Sequence, residues 1–317
     1  MPTTAALIAL DWGTTRLRAY LLGMDGTILE ARAEPQGIMQ GASGDFDGVF
    51  SAIVKPWLTR HGRLPAIAAG MIGSRQGWKE APYAPCPAGA ADIARQLIPV
   101  DSAVGIRLWL APGVSYEDNA GIPDVMRGEE TQILGALPNI PRPSRQLFVL
   151  PGTHSKWARV EAGRIVWFAT FMTGEVFAVL REHSILGRLM VGREPDPAAF
   201  RRGLMLAADR DPAHGGLLKH LFSARTLGLF AQLPGAGLHA YLSGLLIGAE
   251  IEEAVACLGG VGADDVIIIV GTDALAALYH EALTQRGLRA EVGTSTAVVV
   301  GLYQIARDAG LLENVDG

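Results

Sequence analysis

The 317-residue chain carries 27 Lys and Arg against 32 Asp and Glu, a formal net charge of -5, and its basic residues are scattered rather than clustered. That length buries a substantial core and fits two domains, while the charge pattern leaves no electrostatic footprint for nucleic acid. Two cysteines without C-x-x-C spacing, a polar N-terminus without a signal pattern, and apolar runs far below the ~18 residues of a spanning helix predict a soluble, cytoplasmic protein with no membrane partner.

Strand-like runs alternate with helical patterns along the chain, which predicts an α/β architecture. The first strand, 7–10, runs into Asp11-Trp12-Gly13-Thr14-Thr15, and a second returns through Met24-Asp25-Gly26 into 27–29. Such a hairpin turn exposes backbone N–H groups and hydroxyls that suit phosphate oxygens, so Gly13, Thr14, Thr15 and Arg16 are candidate phosphate ligands. Asp11 is placed to hold Mg²⁺ through water. A buried strand over 66–71 leads into a glycine-rich loop with Ser74, Arg75, Gln76 and Lys79. Ser74, Arg75 and Gln76 are candidates for binding a hydroxylated anion, because the Arg fork matches a carboxylate. The Pro-rich segment 78–87 reads as an ordered loop, 88–97 as a helix and 108–111 as a strand.

Residues 123–132 are dense in ionisable groups, and 128–137 has helical apolar spacing. Phosphoryl transfer to an alcohol needs a carboxylate to accept the hydroxyl proton, and Glu129 at the helix start is the candidate, with Glu130 and Asp124 competing. Helix capping by first-turn acidic residues explains Glu129 equally well. Pro138, Pro141 and Pro143 mark a linker over 138–143, which divides the chain into 1–138 and 139–317.

Past that boundary the pattern of the first hairpin recurs. Strand 147–150 enters Leu150-Pro151-Gly152-Thr153-His154-Ser155-Lys156, and the chain returns through Glu161-Ala162-Gly163 into 164–166. Gly152, Thr153, His154 and Lys156 are therefore a second set of candidate phosphate ligands. Helices are predicted over 175–190 and 238–258, the latter with Ser243, Gly244, Gly248 and Ala249 suiting close packing. A strand over 265–270 delivers Gly271-Thr272-Asp273 onto a helix N-terminus, an element able to face a nucleotide. Taken alone, Asp273 reads more simply as a helix N-cap. No Walker sequence is present, which argues against a P-loop enzyme, and the histidines, His154 and His183 included, lack metal-ligand spacing.

The motifs Asp11-Trp12-Gly13-Thr14-Thr15, Ala69-Gly70-Met71-Ile72-Gly73-Ser74-Arg75-Gln76-Gly77-Trp78, Arg127-Gly128-Glu129-Glu130-Thr131-Gln132, Leu150-Pro151-Gly152-Thr153-His154-Ser155-Lys156-Trp157 and Met172-Thr173-Gly174-Glu175 together give the chain its resemblance. It resembles the 2-dehydro-3-deoxygalactonokinase family of sugar-acid kinases, within the acetate and sugar kinase, heat-shock ATPase and actin superfamily. The resemblance implies two ribonuclease-H-like domains with an interdomain nucleotide cleft. It places the two hairpins on phosphate and Gly271-Thr272-Asp273 near adenosine. It also implies transfer of the γ-phosphate of ATP to the terminal hydroxyl of 2-dehydro-3-deoxy-D-galactonate. Polyol kinases of the superfamily use the Asp of a Gly-Asp pair as base, and the matching pair here is Gly128-Glu129. Other acceptors, such as a different 2-keto-3-deoxy acid or a hexose, and an ATP-switched structural protein are the competing readings. The expected partners are a small sugar acid and ATP.

Overall fold

A computed structural model of the chain describes residues 4–39, 44–139 and 145–313, so most of the predicted linker, 140–143, lies outside the described residues. The chain divides into two compact units. One holds the described residues up to Arg145, Ala158–Phe168 and the segment from Gly293 onward; the other holds Gln146–Trp157 and Ala169–Val292.

The first unit opens with β1 (Ala5–Trp12), β2 (Leu17–Gly23) and β3 (Ile28–Glu34), followed by α1 (Phe46–His61), β4 (Ala66–Ala69), β5 (Tyr83–Pro85) and α2 (Ala90–Ala94). It continues through β6 (Ile98–Asp101), β7 (Arg107–Leu110), β8 (Gly113–Glu117), β9 (Pro123–Met126) and α3 (Glu129–Ala136). The main sheet has the order β3-β2-β1-β4-β7-β6. β1 is buried along its length except at Asp11, as expected of a central strand covered on both faces. It pairs antiparallel with β2, placing Asp11 opposite Arg18, and parallel with β4, placing Asp11 opposite Ala69. α1 begins where the Asp45 carboxylate accepts the Gly48 N–H at 2.8 Å, and it buries Phe46, Phe50, Ile53, Val54 and Trp57 in the core that holds β1, β2 and β4.

The segment read from sequence as a loop over 78–87 contains β5, one strand of a three-stranded sheet ordered β5-β8-β9. β5 lies at the edge of that sheet, where Pro85 removes no ladder bond from a central strand. That is why a proline-rich stretch still pairs.

The second stretch of chain supplies β10 (Arg145–Leu150), β11 (Ser155–Glu161), β12 (Arg164–Phe171) and the helices α4 (Thr173–His183), α5 (Pro197–Ala207), α6 (Leu217–Leu229) and α7 (Gly235–Cys257). After these come β13 (Val266–Ile269), α8 (Asp273–Gln285), β14 (Arg289–Val292) and α9 (Ala297–Asp308). The five-stranded sheet runs β12-β11-β10-β13-β14, with β10, β13 and β14 parallel. It repeats the order of the first five strands of the first sheet, a meander of three strands followed by parallel neighbours. The expected helix over 175–190 stops at His183: Ser184 Oγ turns back onto the Leu180 carbonyl and also accepts the Leu186 N–H, and a short 3₁₀ turn follows. The small residues of α7 pack as expected, since a Cβ on Gly244 would lie 2.1 Å from the Phe200 carbonyl oxygen of α5.

A single cut after residue 138 parts from these units twice, since Ala158–Phe168 and the segment from Gly293 onward both fall in the first. α9, at the end of the chain, packs in the first unit against α3. A Cβ on Gly135 would sit 1.8 Å from the Ala297 oxygen, and one on Gly301 would sit 1.9 Å from the Thr131 oxygen, so the two helix backbones touch. That contact joins residues too far apart in the chain for any local pattern to report.

Candidate functional site

In the first unit, the turn after β1 is closed by the Gly13 N–H donating to the Arg16 oxygen at 2.9 Å, and it leaves Thr14, Thr15 and Arg16 exposed. Residues 36–39, which the sequence did not single out, carry this turn. Ile38 and Met39 donate their N–H groups to the Gly13 and Thr14 oxygens at 3.1 Å, and Trp12 Nε1 donates to the Gln36 oxygen at 3.0 Å. Asp11 faces Arg18 at 3.4 Å; burial pushes its carboxyl above the ordinary range, and the guanidinium opposes that shift. Among the described residues no group of three or more His, Cys, Asp or Glu could hold a metal ion, so Asp11 offers a single carboxylate.

Three of the sequence motifs converge through two glycines with positive φ. Gly70, at φ 96°, passes so close to the first turn that a Cβ would lie 2.8 Å from the Trp12 oxygen. Gly128, at φ 105°, lies against Gly70, and a Cβ there would be 3.1 Å from the Gly70 Cα. The first turn, the start of the Ser74 to Gln76 loop and the start of α3 are thereby stacked backbone to backbone. Only glycine allows both the dihedral and the approach.

Glu129 is the first residue of α3 and is half-buried, with Oε2 accepting the Arg127 N–H at 3.0 Å. Glu130 differs sharply, at 0% exposure. Its Oε2 accepts the Gly128 N–H at 2.7 Å, its Oε1 has no hydrogen-bond partner, and burial together with the neighbouring Glu129 pushes its carboxyl up to about 8. A side chain closed off from solvent and carrying its own proton cannot take one from a bound alcohol. Asp124 lies on β9 with its carboxylate on the Val125 N–H at 2.7 Å. Of the three competing carboxylates, Glu129 alone opens α3 directly beside the glycine stack without being sealed off.

The anion-binding candidates occupy unequal surroundings. Ser74 is buried and spends its hydroxyl on the Met71 oxygen at 2.7 Å, whereas Gln76 is exposed. Arg75 is 82% exposed and paired with Glu80 at 3.1 Å. Arg127, which drew no role from the sequence, is buried with its guanidinium 4.3 Å over the Tyr83 ring, and Nη2 donates to the Ala81 oxygen at 2.8 Å. It fills the space that the missing side chain of Gly73 leaves, since a Cβ there would lie 3.1 Å from Nη1.

In the second unit, Gly152, Thr153 and His154 form the turn between β10 and β11, with Thr153 and His154 exposed. The first turn of α4 lies directly on it: Glu175 donates its N–H to the Thr153 oxygen at 2.9 Å, and the Glu175 carboxylate pairs with the His154 imidazole. A Cβ on Gly174 would be 2.3 Å from the Gly152 oxygen. Lys156 points the other way. It is buried on β11, and its Nζ donates to Thr170 Oγ1 at 2.6 Å. The Gly271-Thr272-Asp273 segment follows β13, where Val270 donates to the Val149 oxygen at 2.9 Å, so Gly271 packs on Pro151 at the entry to the second turn. Thr272 is the N-cap of α8 and Asp273 its first residue, and Thr272 makes no side-chain cap bond.

Five strands of the first sheet and the five of the second share one order, each set with a Gly-Thr turn after its first strand, which defines the duplicated ribonuclease-H-like fold. The chain belongs to the 2-keto-3-deoxy-galactonokinase family, whose model matches residues 11–305. It is 38% identical over 314 residues to a Rhizobium meliloti (strain 1021) protein described as a probable 2-dehydro-3-deoxygalactonokinase, covering 97% of this chain and 98% of that one. It is 36% identical over 306 residues to the 2-dehydro-3-deoxygalactonokinase of Escherichia coli (strain K12), covering 96% and 98%. A crystal structure of a Sinorhizobium meliloti protein provisionally assigned as a 2-dehydro-3-deoxygalactonokinase superposes with a TM-score of 0.85 at 35% identity, over 95% of this chain and 98% of that one. The activator of the 2-hydroxyisocaproyl-CoA dehydratase of Clostridium difficile, at a TM-score of 0.50 and 12% identity over 95% of each chain, shares the fold alone.

Proposed function

We propose that the protein transfers the γ-phosphate of ATP to the terminal hydroxyl of 2-dehydro-3-deoxy-D-galactonate, giving the 6-phosphate and ADP. The observation that carries this reading is the stacking of Gly128 on Gly70 and of Gly70 on Trp12, in the first unit, between a phosphate-type turn, a donor-rich loop and an accessible carboxylate. The names of the relatives supply the acceptor.

In this reading Gly13, Thr14, Thr15 and Arg16 of the first turn, and Gly152, Thr153 and His154 of the second, hold phosphate oxygens, while Gly271, Thr272 and Asp273 take the adenosine. Lys156, turned into the core and bonded to Thr170, supports the second turn from behind. Ser74, Arg75 and Gln76 serve the sugar acid. The acceptor oxygen attacks the γ-phosphorus, the bond from that phosphorus to the β-phosphate oxygen breaks, and Glu129 receives the hydroxyl proton. Asp11 would hold Mg²⁺ through its carboxylate, and the ion would supply positive charge to the transferring group.

Glu129→Gln tests the chemistry. Loss of a positioned base lowers kcat by about a hundredfold or more, with the KM for ATP little changed. Turnover near that of the wild type would remove Glu129 from the role.

A further inference from the structure

Glu250, in the middle of α7, is 3% exposed and is approached by donors from three separate elements. Its Oε1 accepts Ser155 Oγ and Trp157 Nε1, each at 2.7 Å, and its Oε2 accepts the Tyr279 hydroxyl at 2.6 Å. The Thr173 side chain donates to the same carboxylate. Ser155 is the residue immediately after Gly152-Thr153-His154. Thr173 opens α4, whose Glu175 N–H donates to the Thr153 oxygen at 2.9 Å and whose Gly174 lies so close that a Cβ on it would be 2.3 Å from the Gly152 oxygen. Tyr279 belongs to α8, the helix that Gly271-Thr272-Asp273 begins. One carboxylate thus ties together every segment of the second unit assigned above to the nucleotide.

Sealing a carboxylate into a core is costly, and a well-packed apolar side chain is often as stable. What the carboxylate adds is geometry. Four donors with fixed directions meet on two oxygens, and each donor left without a partner carries a penalty, so the segments holding them keep one register. We propose that Glu250 is a positioning residue for ATP, locking the second Gly-Thr turn to the first turn of α4 and, through Tyr279, to α8. The proposal rests on the reading that residues 152–154 hold phosphate.

The test compares Glu250→Leu, Glu250→Gln and Gly152→Val with the wild type, measuring KM for ATP, KM for the sugar acid, kcat, and ATP affinity by calorimetry in the absence of acceptor. A merely structural role would lower the active fraction, and with it kcat, and leave both KM values alone. Positioning predicts that Glu250→Leu raises KM and Kd for ATP by about tenfold or more, the equivalent of one charge-assisted hydrogen bond, with the acceptor KM nearly constant. Glu250→Gln should return KM for ATP to within about twofold, because its amide oxygen accepts two of the donors and its NH₂ can donate to hydroxyl oxygens. If Glu250→Leu does not fold, Ser155→Ala and Tyr279→Phe each remove a single donor and carry the same expectation in smaller measure. Wild-type ATP affinity in the folded Glu250→Leu protein, or in both single-donor variants, overturns the proposal. Wild-type ATP affinity in Gly152→Val overturns the phosphate reading itself, and the positioning role with it.

Discussion

Replacing Gly128 by alanine probes the junction on which the first-unit site depends. The residue sits at φ 105°, outside the conformations open to alanine, and its Cβ would meet the Gly70 Cα at 3.1 Å. Holding a non-glycine residue in such a region costs about 1–3 kcal/mol. The contact is tight rather than impossible, so it can be relieved by a shift of a few tenths of an ångström. That shift falls on backbone whose neighbour in sequence is Glu129 and whose neighbour in space is the loop leading to Ser74. A displacement approaching 1 Å at a reacting group can cost about a hundredfold in rate. Gly128→Ala is therefore expected to lower the denaturation midpoint by the equivalent of about 1–3 kcal/mol and, in the fraction that remains folded, to cut kcat by about tenfold or more. Urea titration gives the first quantity and steady-state kinetics well below the melting range the second. A folded variant with wild-type kcat would refute the idea that the glycine stack sets the position of Glu129; wild-type stability as well would refute the steric argument.

Two further substitutions separate neighbouring roles. With Glu130 protonated up to about 8 in the folded protein against roughly 4.5 when unfolded, the native state binds the extra proton between those values, so this group makes stability fall as pH rises through that window, by up to about 1.4 kcal/mol per unit. Glu130→Gln removes the titration, and its stability relative to wild type should climb from pH 5 to pH 8; parallel profiles of midpoint against pH would contradict the assignment. Arg75→Ala should raise KM for the sugar acid by about tenfold while leaving a matched neutral alcohol nearly unaffected, because its fork would grip the carboxylate once released from Glu80. Equal losses on both acceptors would make Arg75 a loop-shaping residue.

The parts of this fold that the sequence revealed are those written locally. Both hairpins were legible because a short apolar run meets Gly-Thr and returns through Asp25-Gly26 or Ala162-Gly163, all within about two dozen residues. Ala162 and Gly163, at φ 49° and 75°, show the conformation that the second return requires. β5 was hidden by Pro85 and the prolines flanking it, and the cost of Pro85 vanishes at a sheet edge. The packing of α9 on α3 and the meeting of Ser155 with Glu250, 95 residues apart, leave no periodic trace at all. Glu129 and Glu130 are indistinguishable as letters. Burial separates them, leaving one half-open and sealing the other. Lys156 shows the same limit: its basic charge suggested a phosphate ligand, while the fold buries it on β11 with its Nζ on Thr170 Oγ1.

The most direct measurement is a coupled ADP-release assay of the purified protein with ATP across a panel of six-carbon 2-keto-3-deoxy acids, their matched neutral alcohols and hexoses, with the phosphorylated position of the product fixed by phosphorus NMR. Sugar-acid kinase activity predicts turnover with 2-dehydro-3-deoxy-D-galactonate, phosphate on its terminal oxygen, and no comparable release of ADP when the acceptor is omitted. ATP turnover independent of any sugar acid, or a phosphate placed elsewhere on the molecule, would contradict it.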